Sequence, residues 1–232
     1  NRLGGKIALT VAALLVGALL AVFGQEYQTG ADVYTLFGNW ALLIVGWVLI
    51  GRFDVLWAIL WALLNLTLAL FWNQVLPGDP YPQPESLFAL NALALLAWEL
   101  MGRRFDWWQH RWLNRLTAIV AFGWILWPTL ATIFDLYDAY YDLPTIHAYG
   151  PLIYGIFLLV VFTVYSRWQP DLFMLTTAMF SIIIVLTTLI GRQLMEWDDT
   201  LAYFVTGFAV LAQAGLAVGI LRRLAQRWEA SQ

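Results

Sequence analysis

Gly102-Arg-Arg-Phe-Asp-Trp-Trp-Gln-His-Arg-Trp-Leu-Asn-Arg115 is a polar stretch that separates two long apolar runs near the middle of the chain. It holds four of the twelve basic residues and three of the fourteen tryptophans. Arginine suits an anionic membrane surface, and tryptophan is enriched at the headgroup layer. We therefore predict that this stretch, called the anchor stretch below, lies at a membrane surface through Arg103, Arg104, Trp107, Trp108, Arg111, Trp112 and Arg115.

The composition indicates that the anchor stretch belongs to a membrane protein. The 232 residues are 62% hydrophobic and only 12% charged, with a mean hydropathy of +0.72. A hydrocarbon core of about 30 Å needs roughly 20 apolar residues per helix, and only helices or closed barrels can cross it. Long unbroken apolar runs favour helices, so we predict an all-α polytopic membrane protein, a bundle of eight transmembrane helices with short loops. The absence of cysteine excludes disulfides and thiolate sites.

The eight apolar runs fill the chain, which predicts one transmembrane domain over residues 1–232. We predict helices over residues 7–23, 33–50, 55–72, 86–101, 116–134, 148–165, 172–190 and 201–221. With this topology, eleven of the twelve Lys and Arg residues fall on one side of the membrane. The positive-inside rule then predicts that both ends of the chain are cytoplasmic and that the acidic side faces outward. Because the first residue is Asn and not Met, we expect a fragment that lacks N-terminal segments.

Several segments in the first third of the chain resemble a known family. They are Gly24-Gln-Glu-Tyr-Gln-Thr-Gly-Ala-Asp32, Leu36-Phe37, Trp40-Ala-Leu42, Leu56-Trp57 and Leu63-Leu-Asn-Leu66. The chain resembles the bacterial predicted membrane proteins catalogued as domain of unknown function 2157. That family has no established activity, so the resemblance implies a bacterial inner-membrane location and no reaction.

Few polar residues interrupt the predicted spans, and four amides are candidates for contacts inside the membrane: Asn39, Asn65, Asn91 and Gln213. Steps of three and four residues place Asn65 on one face of the third helix with Trp57, Trp61, Leu68 and Trp72. We interpret this stripe as bundle core in which Asn65 bonds a neighbouring helix, with a ligand groove as the alternative. On the first helix, small residues at positions 13, 17 and 21 predict a face that another helix can approach closely.

Charged groups near the spans predict local pairs and caps. Glu99 lies one helical turn before Arg103, which predicts an ion pair near the inner surface. Three short basic turns each carry an aspartate, at Asp54, Asp106 and Asp171, which we predict to cap the helix that follows. Their arginines would face lipid phosphate.

The outward-facing turns are acidic and rich in tyrosine. Tyrosine combines apolar area with a hydroxyl group and is enriched at protein interfaces, while carboxylates select basic partners. We therefore predict that a periplasmic or membrane protein binds here, through Gln25, Tyr27, Gln28, Asp32, Tyr137, Asp138, Tyr140, Tyr141 and Asp142. The alternative is an aromatic belt at the membrane surface. Asp135, Asp138 and Asp142 carry oxygen ligands, but their spacing matches no known metal loop, so we predict no metal site.

The sequence contains no nucleophile with a base, no zinc-type histidine cluster and no glycine-rich phosphate loop, so we expect neither an enzyme nor a cofactor. The basic turns are too short for nucleic-acid binding. We predict a non-catalytic interaction or scaffold subunit whose partners are membrane lipids and a second protein. A transporter or channel is the alternative, in which the four amides and a kink at Pro128 would line the path.

Overall fold

The computed structural model describes residues 2–26, 32–75, 83–108, 110–134, 149–195 and 199–230. Within these ranges every regular element is a helix, and no strand occurs. The helices are α1 (Arg2–Glu26), α2 (Val33–Gly51), α3 (Asp54–Val75), α4 (Gln83–Arg104), α5 (Trp112–Ile133), α6 (Gly150–Thr163), α7 (Leu172–Met195) and α8 (Asp199–Glu229). A π-helical turn, Val164–Trp168, extends α6. Eight described helices are long and apolar enough to cross a membrane, which confirms the predicted fold class.

Several helices run further than the apolar segments that predicted them. The last helix was expected over residues 201–221, yet α8 continues to Glu229. Hydropathy detects only the apolar part of a helix, whereas the backbone hydrogen bonds continue through polar residues that stand in water. For the same reason α5 begins at Trp112, so the end of the anchor stretch is already helical.

The helices form two compact units, Asn1–Thr117 and Ala118–Gln232. In the first unit α1 packs on α2, α2 on α3 and α3 on α4. Buried aliphatic side chains from α1, α2 and α3 make its core, among them Ala13, Ile44, Val48 and Leu56. On α2 and on α3 the core residues recur at three- and four-residue steps, which places them on the faces where the helices meet.

The contact between α1 and α2 depends on a glycine. A Cβ atom added to Gly17 would lie 2.5 Å from the ring of Trp40, much closer than carbon atoms approach. The same ring donates a hydrogen bond from its Nε1 to the carbonyl of Ala13, at 2.7 Å. The small-residue face predicted for the first helix is therefore a helix contact, and Trp40 of α2 packs against it.

In the second unit, α7 packs on α6 and on α8. The hydroxyl of Tyr154 on α6 lies 3.0 Å from Ser181 Oγ on α7. At the start of α7, Asp171 Oδ1 accepts a hydrogen bond from the amide of Phe173 at 3.0 Å, so the predicted cap at Asp171 is confirmed. The cap predicted at Asp106 is wrong, because the next helix begins only at Trp112.

Candidate functional site

A network of buried amides and an indole joins α3 to α4. Asn91, which is fully buried, accepts a hydrogen bond from Trp61 Nε1 at 2.8 Å. Its own amide nitrogen donates to Asn65 Oδ1 at 2.6 Å and to the carbonyl of Leu87 at 2.8 Å. We call Trp61, Asn65 and Asn91 the amide network. Its members satisfy one another, which is what polar groups inside a membrane bundle require.

Two other tryptophans of the predicted stripe on α3 also contact α4. Trp57 packs edge-on against Trp98, with ring centroids 5.5 Å apart. Trp72 Nε1 donates to Ser86 Oγ at 2.8 Å. The contacts agree with the interpretation of the stripe as bundle core, with Asn65 bonding across helices.

Asn39 lies apart from the amide network, on the outer surface of α2. Its side chain is exposed and has no hydrogen-bond partner in the part of the chain that the structure describes. Leu42, Leu43 and Gly46 are exposed on the same side of α2, and a Cβ atom at Gly46 would meet open space. We call these four residues the α2 face. It combines one hydrogen-bonding amide with apolar side chains and a gap.

The fourth predicted amide belongs to the second unit. Gln213, on α8, is partly buried, and its Oε1 finds no hydrogen-bond partner among the described residues. The glycines at positions 215 and 219, whose spacing predicts a close helix contact, both have open space where a side chain would project. The described structure therefore places no helix against them.

The anchor stretch is partly built into the first unit. Glu99 accepts hydrogen bonds from Arg111 Nη2 at 3.1 Å and from Asn114 Nδ2 at 3.0 Å. An ion pair at Glu99 was predicted, but the sequence suggested a local partner and missed Arg111, twelve residues away. Trp112 Nε1 donates to Asp54 Oδ2 at 2.6 Å, and this bond ties the anchor stretch to the start of α3.

The tryptophans of the anchor stretch differ in exposure. Trp108 is only 4% exposed and stacks on Trp98, with centroids 5.1 Å apart, so it belongs to the core of the unit. Trp112 is exposed, as are the three arginines Arg103, Arg104 and Arg115. Placement at the membrane surface stays a prediction for these exposed residues, while Trp108 has a packing role that the sequence did not reveal.

Most residues of the predicted outer interface lie outside the described residues: Tyr27, Gln28, Tyr137, Asp138, Tyr140, Tyr141 and Asp142. Gln25 is exposed near the end of α1. Asp32 precedes α2, and its carbonyl accepts hydrogen bonds from the amide and the hydroxyl of Thr35. In the ranges that the structure covers, no three His, Asp or Glu side chains come together as a metal site would require.

The comparisons with known proteins bear on the start of the chain. No curated protein and no solved structure matches the chain significantly. Residues 1–57 match the family model described as "Predicted membrane protein (DUF2157)", so the first quarter of this membrane protein is similar to the family that its segments resemble.

Proposed function

We propose that this membrane protein is a non-catalytic interaction subunit, which binds a second membrane protein through the α2 face and the acidic outer turns. The observation that carries the proposal is the exposed amide of Asn39 within an apolar helix surface. An amide that faces lipid has no hydrogen-bond partner, and leaving it so is unfavourable. A partner helix with a donor or an acceptor would supply that bond.

The α2 face has the shape of a helix contact as well as its chemistry. Gly46 is seven residues after Asn39, two turns along the same side of the helix, and nothing lies within 4 Å of its missing side chain. Small residues let helix backbones approach closely inside a membrane. Leu42 and Leu43 lie between the two and provide the apolar contact area.

The amide network argues against the transporter alternative. Asn65 and Asn91 were candidates to line a path, but each is bonded to the other or to Trp61. A polar group that already bonds a neighbouring helix is not available to replace the water around a passing ion. Transporters also place ionisable groups near the membrane midplane, and the sequence offers almost none there.

In this proposal the protein lies in the bacterial inner membrane with both ends cytoplasmic. The acidic, tyrosine-rich turns would then face the periplasm, and the exposed Gln25 and Asp32 stand at the ends of α1 and α2 beside the first of these turns. A basic partner would be attracted by the carboxylates and would pack on the tyrosines.

Affinity measurements test the proposal. A partner is first recovered with the protein in mild detergent and purified, and its dissociation constant is measured. Replacement of Asn39 by leucine should weaken binding about fivefold, since an interhelical hydrogen bond contributes about 1 kcal/mol. Asn73→Leu is the matched control, because the exposed Asn73 amide already bonds the Ala69 carbonyl of its own helix. Equal affinity of Asn39→Leu and the unmodified protein would remove the α2 face from the proposal.

The outer turns have a separate test. Removal of Tyr140 and Tyr141 together should abolish partner recovery and leave membrane insertion and thermal stability intact. If the pair proves dispensable, or if its loss merely unfolds the protein, the aromatic-belt interpretation replaces the interface.

A flux assay tests the alternative function. The purified protein in liposomes should carry neither protons nor simple ions. Flux that disappears with Arg192→Ala would favour a transporter, because Arg192 lies near the end of α7 and could receive an anion.

A further inference from the structure

An open cleft of about 430 Å³ lies at one end of the first unit, where α1, the end of α2 and the anchor stretch meet. Lys6 and Arg52 form its basic wall, and Trp107 forms its aromatic wall. Gly5, Leu9, Ile50 and Gly51 complete the lining. The volume falls within the range of about 300–1,000 Å³ that is usual for small-molecule sites. We call it the basic cleft.

The basic cleft carries two cations that no carboxylate of the described residues pairs with. Lys6 is half-buried, with its Nζ 5.2 Å from the ring centroid of Phe53, and neither Lys6 nor Arg52 has a carboxylate partner among the described residues. Asp54 is near in sequence, but its oxygens accept hydrogen bonds from the Val55 amide and from Trp112 Nε1. Two positive charges that line one cleft, without a carboxylate partner in the described ranges, favour the binding of an anion.

The backbone at Arg52 adopts a conformation that is unfavourable for an arginine. Arg52 directly follows α2 and has φ 47° and ψ 49°, the left-handed conformation in which glycine normally ends a helix. It is the one non-glycine residue at positive φ that the described ranges contain. Holding an arginine there strains the backbone, and strain of this kind persists mainly at functional positions.

The walls of the basic cleft are held in place by packing. A Cβ atom at Gly51 would lie 2.7 Å from Leu56 Cδ1 and 3.0 Å from Leu9 Cδ2, so two leucine side chains pack closely against this end of α2. Trp107 packs edge-on against the buried Trp108, with ring centroids 5.3 Å apart. These contacts put part of the cleft wall in place before a ligand arrives, which lowers the cost of binding.

We propose that the basic cleft binds the phosphate group of an anionic phospholipid, with Lys6 and Arg52 on the phosphate and Trp107 against the glycerol backbone. The cleft lies at the ends of membrane-spanning helices, and therefore at the level of lipid headgroups. Two cations without a carboxylate partner in the described ranges favour a headgroup of net negative charge. A zwitterionic headgroup is less suited because it already carries a cation of its own. Arginine and lysine both bind phosphate, and tryptophan is suited to this interfacial layer.

Lipid titration in nanodiscs tests the site. The purified chain is placed in phosphatidylcholine nanodiscs, and phosphatidylglycerol with brominated acyl chains is added while quenching of tryptophan fluorescence is followed. Quenching should saturate at a low mole fraction of phosphatidylglycerol, and brominated phosphatidylcholine should give no such phase. The amplitude of the saturable quenching by brominated phosphatidylglycerol should be smaller in Trp107→Phe, because Trp107 lines the cleft.

The variants are chosen so that folding and binding can be separated. Lys6→Gln and Arg52→Gly should each raise the half-saturating mole fraction about fivefold, the loss expected for one basic residue at an anionic surface. Arg52→Gly also relieves the left-handed backbone, so its thermal midpoint should not fall. Arg223→Gln, an exposed arginine of the second unit, is the matched control and should leave the titration unchanged.

Two results would overturn the proposal. If Lys6→Gln and Arg52→Gly leave the saturable phase unchanged, the cations do not bind lipid, and Arg52 serves only the C-terminal end of α2. If inorganic phosphate or glycerol 3-phosphate displaces the brominated lipid with the same dependence on Lys6 and Arg52, the cleft binds a soluble phosphate compound instead.

Discussion

Replacement of Asn91 by leucine should loosen the contact between α3 and α4. Asn91 makes two hydrogen bonds to α3, and each such bond contributes about 0.6–1.7 kcal/mol inside a membrane. The indole Nε1 of Trp61, a buried residue, would then lack an acceptor, which costs about 1–3 kcal/mol more. Leucine regains part of this through its apolar contacts. The expected loss in free energy of unfolding is about 3 kcal/mol.

The loss is measured by denaturant titration in mixed micelles, with Asn39→Leu as the matched control. Asn39 is exposed and has no partner in the described part of the chain, so its replacement should change the free energy of unfolding by less than about 0.5 kcal/mol. A double-mutant cycle with Asn65→Leu should give a coupling energy of about 1 kcal/mol. A loss below about 0.5 kcal/mol for Asn91→Leu would refute the structural importance of the amide network.

Three further predictions concern packing, charge and topology. Gly17→Ala should lower the free energy of unfolding by about 1–3 kcal/mol, because its methyl group overlaps the Trp40 ring, whereas Gly24→Ala, with open space around it, should not. Glu99→Gln should lower it by about 1–2 kcal/mol through loss of a charge-assisted, partly buried pair, and unchanged stability would contradict this. A single cysteine at Asp138 should react with an impermeant thiol reagent from outside intact cells, and one at Trp168 should not; the reverse pattern would overturn the topology.

The stripe on α3 shows how much of the site the sequence could predict. Its three- and four-residue spacing identified a face directed at a neighbour and singled out Asn65. The partner Asn91 was also named as an intramembrane amide, but their contact could not be predicted. That contact depends on how far α4 is shifted along α3, which packing determines and hydropathy does not reveal.

The basic cleft was only partly predictable for a similar reason. Arg52 was expected to face lipid phosphate because it lies in a basic turn between two spans. Lys6 and Trp107 are 101 residues apart in the chain, so no local sequence pattern predicts that they line one cleft. The left-handed conformation of Arg52 was equally hidden, because glycine and asparagine are the residues that signal it.

The C-terminal end of α4 shows a contact that local spacing did not predict. Glu99 and Arg103 are four residues apart, which places them on one helical face and favours a pair. In the structure Glu99 accepts hydrogen bonds from Arg111 and Asn114, in the far part of the anchor stretch, which folds back on α4. The tight turn over residues 105–108, with Trp108 buried, brings these residues together. Helical periodicity does not predict a turn that reverses the chain in this way.

Site-specific photocross-linking from the α2 face tests the proposed interaction most directly. A benzophenone amino acid replaces Leu42, which is 70% exposed on the side of Asn39, and in a control protein replaces Phe208, equally exposed on α8. Irradiation of intact cells should give one discrete protein adduct from position 42, lost when Asn39 is also changed to leucine, and only lipid adducts from position 208. Lipid adducts alone from both positions, or a protein adduct indifferent to Asn39→Leu, would contradict an interaction subunit that binds through α2.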